Sequence, residues 1–331
     1  LSFVTGNLGR AGGNFYSAGF YDRAPAAGAQ LAGELVTSRY GTYRKPGGVG
    51  IQMPGNLMPD YLRDSEEPVH ALFVSSGNPI LSVGGEDRMR EAIKQLDLLV
   101  CVDIYRNATG EYADYVLPAA GAYEREDVNV TGMGMQFQPS VQFTGAVVTP
   151  AYERKPDWWI YEKLAQKMGL QSAFDHADEP DMWGRVNAML KSRGHSIEEL
   201  RDVEIIALER STPENLYERI QHDHGQIDCY PELFQSGVDR MAVLFKELDA
   251  ESSEQLKLIS KRDSYMFNSW YSNVAKLKHG DRTDNYLFMH PEDAEIRQIA
   301  DGGRVAVTNQ YGNLETTVKL TDDLMRGVVA M

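Results

Sequence analysis

The chain has 331 residues, and with 42% hydrophobic and 10% aromatic residues it can bury a sizeable core, which excludes a disordered segment. Asp and Glu number 48 against 33 Lys and Arg, and the net charge of -15 makes nucleic acid and anionic membrane surfaces poor partners. Cys101 and Cys229 are the only cysteines, so the sequence contains no zinc or iron–sulfur ligand set. No apolar run reaches the roughly 18 residues that a membrane-spanning helix requires.

Residues 1–66 are rich in Gly, Pro and Ala, and this composition predicts irregular backbone with little helix or strand. A segment of this length without regular structure usually packs against another domain. The chain opens on Leu1 rather than Met and ends inside an apolar run. We therefore expect a chain that is truncated at both ends, with residues 1–66 packed on a missing domain.

Residues 67–172 predict an α/β dinucleotide-binding domain. Apolar runs at 70–75, 97–103 and 115–117 predict buried strands, and the apolar spacing over 86–96 predicts a helix between the first two. Strand, helix and strand at this spacing form a βαβ unit, whose strands pair in parallel and are covered on both faces.

A further helix is predicted from Pro156 and Asp157 to Gly169, because proline and an acid favour a helix start and glycine favours its end. Residues 173–252 are polar and predict a mostly helical insertion. Its clearest helical stretches are 182–190 and 241–248.

Residues 253–331 predict the start of a β-barrel. A strand is expected at 256–259, a short helix at 291–300, and a hairpin that pairs 305–307 with 314–320. The predicted fold class is therefore α/β: a parallel, Rossmann-like sheet domain followed by the start of a β-barrel domain that the sequence does not complete.

Polar side chains follow the first two predicted strands. Gly77 and Asn78 come after the first strand, and Asp103 ends the second. Ligands of parallel sheets bind at the carboxyl ends of the strands, where an Asp can hold a ribose hydroxyl or a guanine edge. Asn-Pro and Asp are also ordinary turn residues, and spacing alone favours that second interpretation.

Further candidates carry charge. Arg125 lies between two glutamates and Asp157 opens a helix, but a solvated charge and a helix-start carboxylate are the ordinary interpretations. After the strand at 256–259 comes a run of side chains that suit phosphate or a pterin, with an ordinary loop as the open alternative. Its members are Ser260, Lys261, Arg262, Asn268 and Ser269.

Other patterns are weaker. His222 and His224 are two positions apart without a third ligand, so a solvated loop is favoured over a metal site. The triplet 107–109 matches a glycosylation acceptor, which is too short to be specific. The sequence offers no Walker loop and no pairing of a nucleophile with a base, and we predict no catalytic residue and no metal ligand.

Several stretches, in order along nearly the whole chain, together resemble molybdopterin oxidoreductases of the dimethyl sulfoxide reductase superfamily. Each motif is weak by itself, whereas their shared order is specific. The stretches are TGNLGRAGGN at 5–14, SGNP at 76–79, the strand-end acid at 102–103 with ADYVLPA at 113–119, ERE at 124–126, KPDWW at 155–159, and MHPEDA at 289–294 with DGGRV at 301–305.

The resemblance implies a cofactor-binding part of an enzyme that holds molybdenum or tungsten between two molybdopterin guanine dinucleotides. It also implies that Ser260, Lys261, Arg262, Asn268 and Ser269 contact dinucleotide from the barrel side. One guanine dinucleotide would be contacted by Asn78, Val102, Asp103, Arg125 and Asp157.

For the whole protein the resemblance implies two-electron or oxygen-atom transfer on a small-molecule substrate, as in bacterial anaerobic respiration. A separate iron–sulfur protein that transfers electrons is the expected partner, while nucleic acid and membrane insertion are not expected. The compartment stays open between cytoplasm and periplasm, since any export signal would lie upstream.

The sequence departs from the family pattern in places. The family's iron–sulfur cysteines and its metal-ligating residue are absent, so we expect them upstream, and we expect this chain alone to be inactive and to hold no stoichiometric metal. Arg125 replaces the usual Lys, and the stretch at 266–269 lacks the His of formate dehydrogenases, which argues against formate. The alternative function is a non-catalytic carrier or binding module for the cofactor.

Overall fold

The computed structural model describes most of the chain in two compact units, Leu1–Ile227 and Asp228–Met331. The described residues are 1–14, 35–38, 41–44, 55–64, 68–129, 138–170, 183–209, 225–252, 254–268, 270–271, 274–280, 283–310 and 312–331.

The regular elements are numbered in chain order. The strands are β1 (Leu35–Ser38), β2 (Gly41–Arg44), β3 (Ala71–Ser75), β4 (Leu98–Asp103), β5 (Tyr115–Pro118), β6 (Asp127–Val128), β7 (Ser140–Thr144), β8 (Ile205–Ala207), β9 (Lys257–Ile259), β10 (Leu287–Met289), β11 (Arg304–Asn309), β12 (Gly312–Leu320) and β13 (Val328–Ala330). The α-helices are α1 (Met58–Leu62), α2 (Pro79–Ser82), α3 (Glu86–Ile93), α4 (Asp157–Lys167), α5 (Trp183–Lys191), α6 (Ile197–Val203), α7 (Glu232–Asp249) and α8 (Pro291–Ile296).

A parallel sheet in the order β3-β4-β5 confirms the predicted strands and their pairing. β4 is central and all but its first residue are buried, because an unbroken apolar run suits a strand that is covered on both faces. β3 and β5 are more exposed, so the expected double coverage applies to β4 alone among the described strands of this sheet.

One hydrophobic cluster supports this sheet from the side of α3. The fully buried Met89 and Ala92 of α3 pack in one cluster with Leu99 and Cys101 of β4. The helix was predicted over 86–96 but ends earlier, and a turn follows it. The predicted βαβ arrangement is otherwise confirmed.

The opening motif closes on itself through its backbone. The N–H of Gly9 donates to the Asn14 carbonyl, and the N–H of Asn14 donates to the Asn7 carbonyl, both at 2.7 Å. Gly12 has a φ of +79°, and a Cβ on Gly13 would lie 2.2 Å from the Asn7 carbonyl oxygen. This turn therefore requires glycine at two adjacent positions, one for its dihedral and one for close approach.

Residues 1–66 contain more regular structure than their composition predicts. β1 and β2 pair in antiparallel fashion, and α1 follows a short 3-10 helix at 55–57. Leu62 of α1 is buried in the same hydrophobic cluster as α3. The missing partner domain and the boundaries at 66, 172 and 252 stay predictions.

A second hydrophobic cluster lies under α5 and α6. These helices pack on an antiparallel sheet in the order β6-β7-β8, and Val141, Leu190 and Leu200 at its centre are fully buried. The helical character of 173–252 is confirmed for the described stretches, except for β8, which is too short to show a pattern. α4 begins at Asp157 as predicted, and a left-handed Gly169 follows its end.

The second unit contains a curled, half-barrel sheet in the order β11-β12-β10-β13-β9. The predicted hairpin is confirmed, with Asn309 opposite Gly312 at its turn and Val318 fully buried. The helix predicted at 291–300 is the shorter α8. It ends early because Gln298 adopts a left-handed φ of 54°, a conformation that glycine usually signals in a sequence.

α7 presents apolar side chains to solvent along its length. Phe234, Met241 and Phe245 are 59%, 66% and 71% exposed. The described helices include none that combines the length and apolar character needed to cross a membrane.

The two cysteines differ in accessibility, which gives a first testable prediction. Cys101 in β4 is 2% exposed, as its apolar surroundings predicted, and burial, with the charge of Asp103 second, raises the pKa of its thiol to about 11. Cys229 is exposed. At about pH 8 the reagent DTNB should therefore react quickly with Cys229 and reach Cys101 only after denaturation, because the thiolate is the reactive form.

Single substitutions assign the two thiols in this experiment. Cys229→Ser should remove the rapid reaction of the native chain, and Cys101→Ser should leave it intact. Rapid reaction of both thiols in the native chain would contradict the burial of β4.

Candidate cofactor-binding site

The carboxyl ends of β3, β4 and β5 are tied together at one edge of the parallel sheet. After β3 the chain turns at Ser76, whose N–H donates to the Val102 carbonyl at 2.9 Å. The Asp103 carbonyl accepts the N–H of Ala119, just beyond β5, at 3.0 Å. The loops that follow these strands meet at this edge, which brings Asn78 and Asp103 to the same side of the sheet.

Asn78 is 7% exposed and its amide has a fixed orientation. Its Oδ1 accepts the N–H of Thr109 at 3.2 Å and the hydroxyl of Thr109 at 2.9 Å. Thr109 is fully buried, and its Oγ1 also accepts the N–H of Ile80 at 3.3 Å. Within the described residues Nδ2 of Asn78 donates to no protein atom, so it is open to an acceptor on a ligand.

Asp103 is 8% exposed and both of its carboxylate oxygens are held by neighbours. Oδ1 accepts the N–H of Tyr105 at 3.2 Å, and Oδ2 accepts Nδ2 of Asn107 at 3.0 Å. Each carboxylate oxygen has further lone-pair capacity, so Asp103 can still accept hydrogen bonds from a ligand. Bonds to an ionised carboxylate are about twice as strong as neutral ones.

Asn107 joins the two strand-end loops. Its Nδ2 donates to the Gly77 carbonyl at 3.0 Å as well as to Asp103, and its Oδ1 accepts the N–H groups of Thr109 and Gly110, each at 3.0 Å. Sequence reasoning considered Asn107 and Thr109 only as part of a glycosylation triplet and missed this role. A short polar side chain soon after a strand-end acid, which can bond to nearby backbone, is the signal that was available.

Arg125 and Asp157 lie together beside β5. A β-bridge between Ala119 and Lys155 brings the start of α4 next to that strand. Nη1 of Arg125 lies 3.9 Å from Oδ1 of Asp157, while Nε and Nη2 donate to Oδ2 of Asp127 at 3.1 and 2.9 Å. Two carboxylates therefore share one guanidinium, which is 29% exposed, and Nη1 is its part that is least engaged.

The glutamates that flank Arg125 have other partners. Glu124 accepts the N–H of Gly121 at 2.9 Å and pairs with Arg154. The Gly121 bond is the largest influence that lowers the pKa of the Glu124 carboxyl, although burial opposes it and Arg154 assists it. Glu126 pairs with Arg201 at 3.1 Å. The ERE motif is thus a set of separate ion pairs, which leaves its central guanidinium to the two aspartates.

In the second unit, the predicted stretch 260–269 directly follows β9. Nη1 of Arg262 donates to Oδ1 of Asn268 at 2.6 Å, so the structure brings these two predicted residues together. Ser260 is exposed, and Ser269 lies outside the described residues. The arrangement presents a guanidinium and an amide at the surface.

Lys261 is anchored by its backbone and has an exposed ammonium. Its N–H donates to the Met331 carbonyl at 2.7 Å, and its Nζ lies 4.1 Å from the centre of the Phe288 ring. A cation over an aromatic face is attracted by the ring quadrupole, which limits how freely the Lys261 side chain moves.

Val102 differs from the other predicted site residues. Its side chain is 1% exposed within β4, and its carbonyl accepts the Ser76 N–H. Any ligand contact at this position therefore involves the main chain.

The donors and acceptors at the sheet edge suit a nucleotide better than a metal ion. They comprise an amide N–H, a carboxylate and a guanidinium. In the part of the chain that the structure describes, no three His, Cys, Asp or Glu side chains form a group that could hold a metal. His222 and His224 lie outside the described residues.

Two family models match the chain. The molybdopterin oxidoreductase model matches residues 1–167, and the molybdopterin dinucleotide binding domain model matches residues 256–331. The first match includes the sheet edge, and the second includes the stretch at 260–269.

Curated relatives are similar at low identity. The alpha chain of the F420-dependent formate dehydrogenase of Methanocaldococcus jannaschii is 23% identical over 100% of this chain and 49% of that relative. A putative dimethyl sulfoxide reductase, the catalytic chain of Halobacterium salinarum, is 27% identical over 86% of this chain and 35% of that relative. The chain thus spans about half the length, or less, of the curated relatives it matches.

Among solved structures, acetylene hydratase from Pelobacter acetylenicus is similar, with a TM-score of 0.60 and 22% identity over 82% of this chain and 38% of that chain. This likeness shows a shared fold. The family model that covers half of the chain agrees with the order of the sequence motifs, and on that basis the chain belongs to the molybdopterin oxidoreductase family.

Proposed function

We propose that the sheet edge with Asn78 and Asp103 binds the guanine end of a molybdopterin guanine dinucleotide. The observation that carries the proposal is the pairing of a free amide donor with a held carboxylate at the same edge. Guanine carries adjacent N–H donors that suit a carboxylate and a carbonyl acceptor that suits an amide, whereas adenine lacks this combination.

The phosphates of the dinucleotide need local positive charge, since the chain as a whole repels anions. Arg125 is the candidate in the first unit, where a phosphate would compete with Asp127 and Asp157 for its Nη1. Lys261 and Arg262 are the candidates in the second unit, with Ser260, Asn268 and Ser269 as polar neighbours. Val102 would contribute through its backbone.

The whole protein, in this proposal, is a bis-molybdopterin guanine dinucleotide oxidoreductase with molybdenum or tungsten. It would act on a small molecule by two-electron or oxygen-atom transfer. The cofactor, when bound, supplies the redox chemistry. The residues of this chain bind and orient the cofactor's nucleotide, and none is proposed as catalytic.

Substrate and partners are proposed by analogy. The relatives are named for formate, dimethyl sulfoxide and acetylene, all of which are small molecules. An iron–sulfur cluster, or a separate iron–sulfur protein that transfers electrons, would use cysteines outside these 331 residues, because Cys101 and Cys229 cannot supply a ligand set.

Calorimetric titration of the full chain with GDP, ADP and CDP tests the nucleotide site. We expect GDP to bind about tenfold more tightly than ADP, since one unmatched hydrogen bond costs about 1 kcal/mol or more. Equal affinities for the three nucleotides, or no binding of GDP, would contradict the proposal.

A further inference from the structure

Asn78 and Asp103 are each held by a neighbour that the sequence analysis did not assign. Thr109 holds the amide of Asn78, and Asn107 holds the carboxylate of Asp103. Asn107 also donates to the Gly77 carbonyl, so it fixes the spacing between the two loops. Both neighbours belong to the loop between β4 and β5.

Thr109 determines which end of the Asn78 amide faces outward. A backbone N–H can only donate, so the bond from Thr109 N requires Oδ1, and not Nδ2, on the inner side of the amide. That N–H is shared with Oδ1 of Asn107. The Thr109 hydroxyl, at 2.9 Å, is the donor that serves Asn78 alone.

The hydroxyl of Thr109 is itself oriented. Its oxygen accepts the N–H of Ile80, which directs its hydrogen toward Asn78. Because Thr109 is fully buried, water does not readily replace this bond.

We propose that Thr109 and Asn107 are positioning residues that set the donor and acceptor pattern of the site and thereby its choice of base. The proposal rests on the proposed function of the sheet edge. With Nδ2 outward the site offers a donor beside a carboxylate, which matches guanine. With Oδ1 outward it would offer acceptors only, which match the amino groups of adenine and cytosine.

Thr109→Val tests the inference, because valine keeps the shape and removes the hydroxyl. The GDP to ADP affinity ratio of the full chain, measured by calorimetry, should fall about fivefold to tenfold, and Thr109→Ser should retain it. Asn107→Leu should lower the ratio as well, because it releases Asp103.

Matched controls separate positioning from general stability. Thr316 is also a buried threonine whose hydroxyl donates to a carbonyl, and Asn129 also bridges backbone groups with both ends of its amide. Thr316→Val and Asn129→Leu should lower the melting temperature and leave the nucleotide ratio unchanged.

Asn78→Asp keeps the test decisive if Thr109→Val fails to fold. A carboxylate at this position can accept from Thr109 while it presents a second acceptor outward, so the preference for GDP should disappear. A preserved preference in Asn78→Asp would overturn the inference.

The outcomes also separate the inference from the proposed function. A wild-type preference for GDP that survives in Thr109→Val and Asn107→Leu overturns the positioning role and leaves the nucleotide site standing. A wild-type chain without any nucleotide preference overturns both.

Discussion

Asp103→Asn is expected to weaken GDP binding by the full chain about 30-fold, since hydrogen bonds to a charged group contribute about 1.5 to 3 kcal/mol. The substitution replaces an acceptor by an amide of nearly the same shape. It also places an NH2 group against the N–H of Tyr105 or against Nδ2 of Asn107, which now donate to the carboxylate. Binding and orientation should therefore both suffer.

Asp114→Asn provides the matched control for this experiment. Asp114 lies near the opposite end of the same sheet, where its Oδ2 accepts the N–H of Leu99 at 2.8 Å. Calorimetry should show unchanged GDP affinity for this variant. Equal losses of affinity in both variants would mean that Asp103 acts only through the stability of the sheet.

Met89→Ala is expected to destabilise the first unit by about 2 to 5 kcal/mol, because it removes a fully buried side chain and leaves a cavity. This is a large part of the roughly 5 to 15 kcal/mol that stabilises a typical domain. Cys101 lies in the same hydrophobic cluster and therefore reports on it. The urea concentration at which DTNB reaches Cys101 should fall clearly in Met89→Ala.

Met241→Ala is the control, with the same chemical change on another helix. Met241 is 66% exposed on α7, so its removal should alter stability by less than about 0.5 kcal/mol. If Met89→Ala and Met241→Ala behaved alike, the assigned core of the first unit would be wrong.

The strands of the parallel sheet were predictable because their apolar runs are long and continuous, as in β4. β8 was not, because it has three residues and only Ile206 is buried. The end of α8 was also missed, since it depends on the left-handed Gln298 rather than on a glycine. Local composition therefore predicted the elements, while their ends depended on individual dihedrals.

The candidate site was predictable only where residues directly follow a strand, as Asn78 and Asp103 do. The contribution of Asn107 depends on the Gly77 carbonyl, 30 positions earlier in the chain, and no local pattern reports such a contact. Asp127 was missed for a different reason. A single acid in an acidic chain does not reveal that it will pair with Arg125.

The pairing of β9 with β13 has a consequence for the order of events during synthesis. Leu258 lies opposite Val329, roughly 70 positions later, so at about 5 to 20 residues per second the ribosome needs several seconds to supply the partner strand. β3 and β4 are much closer in the chain and can pair long before. The parallel sheet is thus expected to form on the nascent chain first, while β9 waits unpaired until β13 emerges.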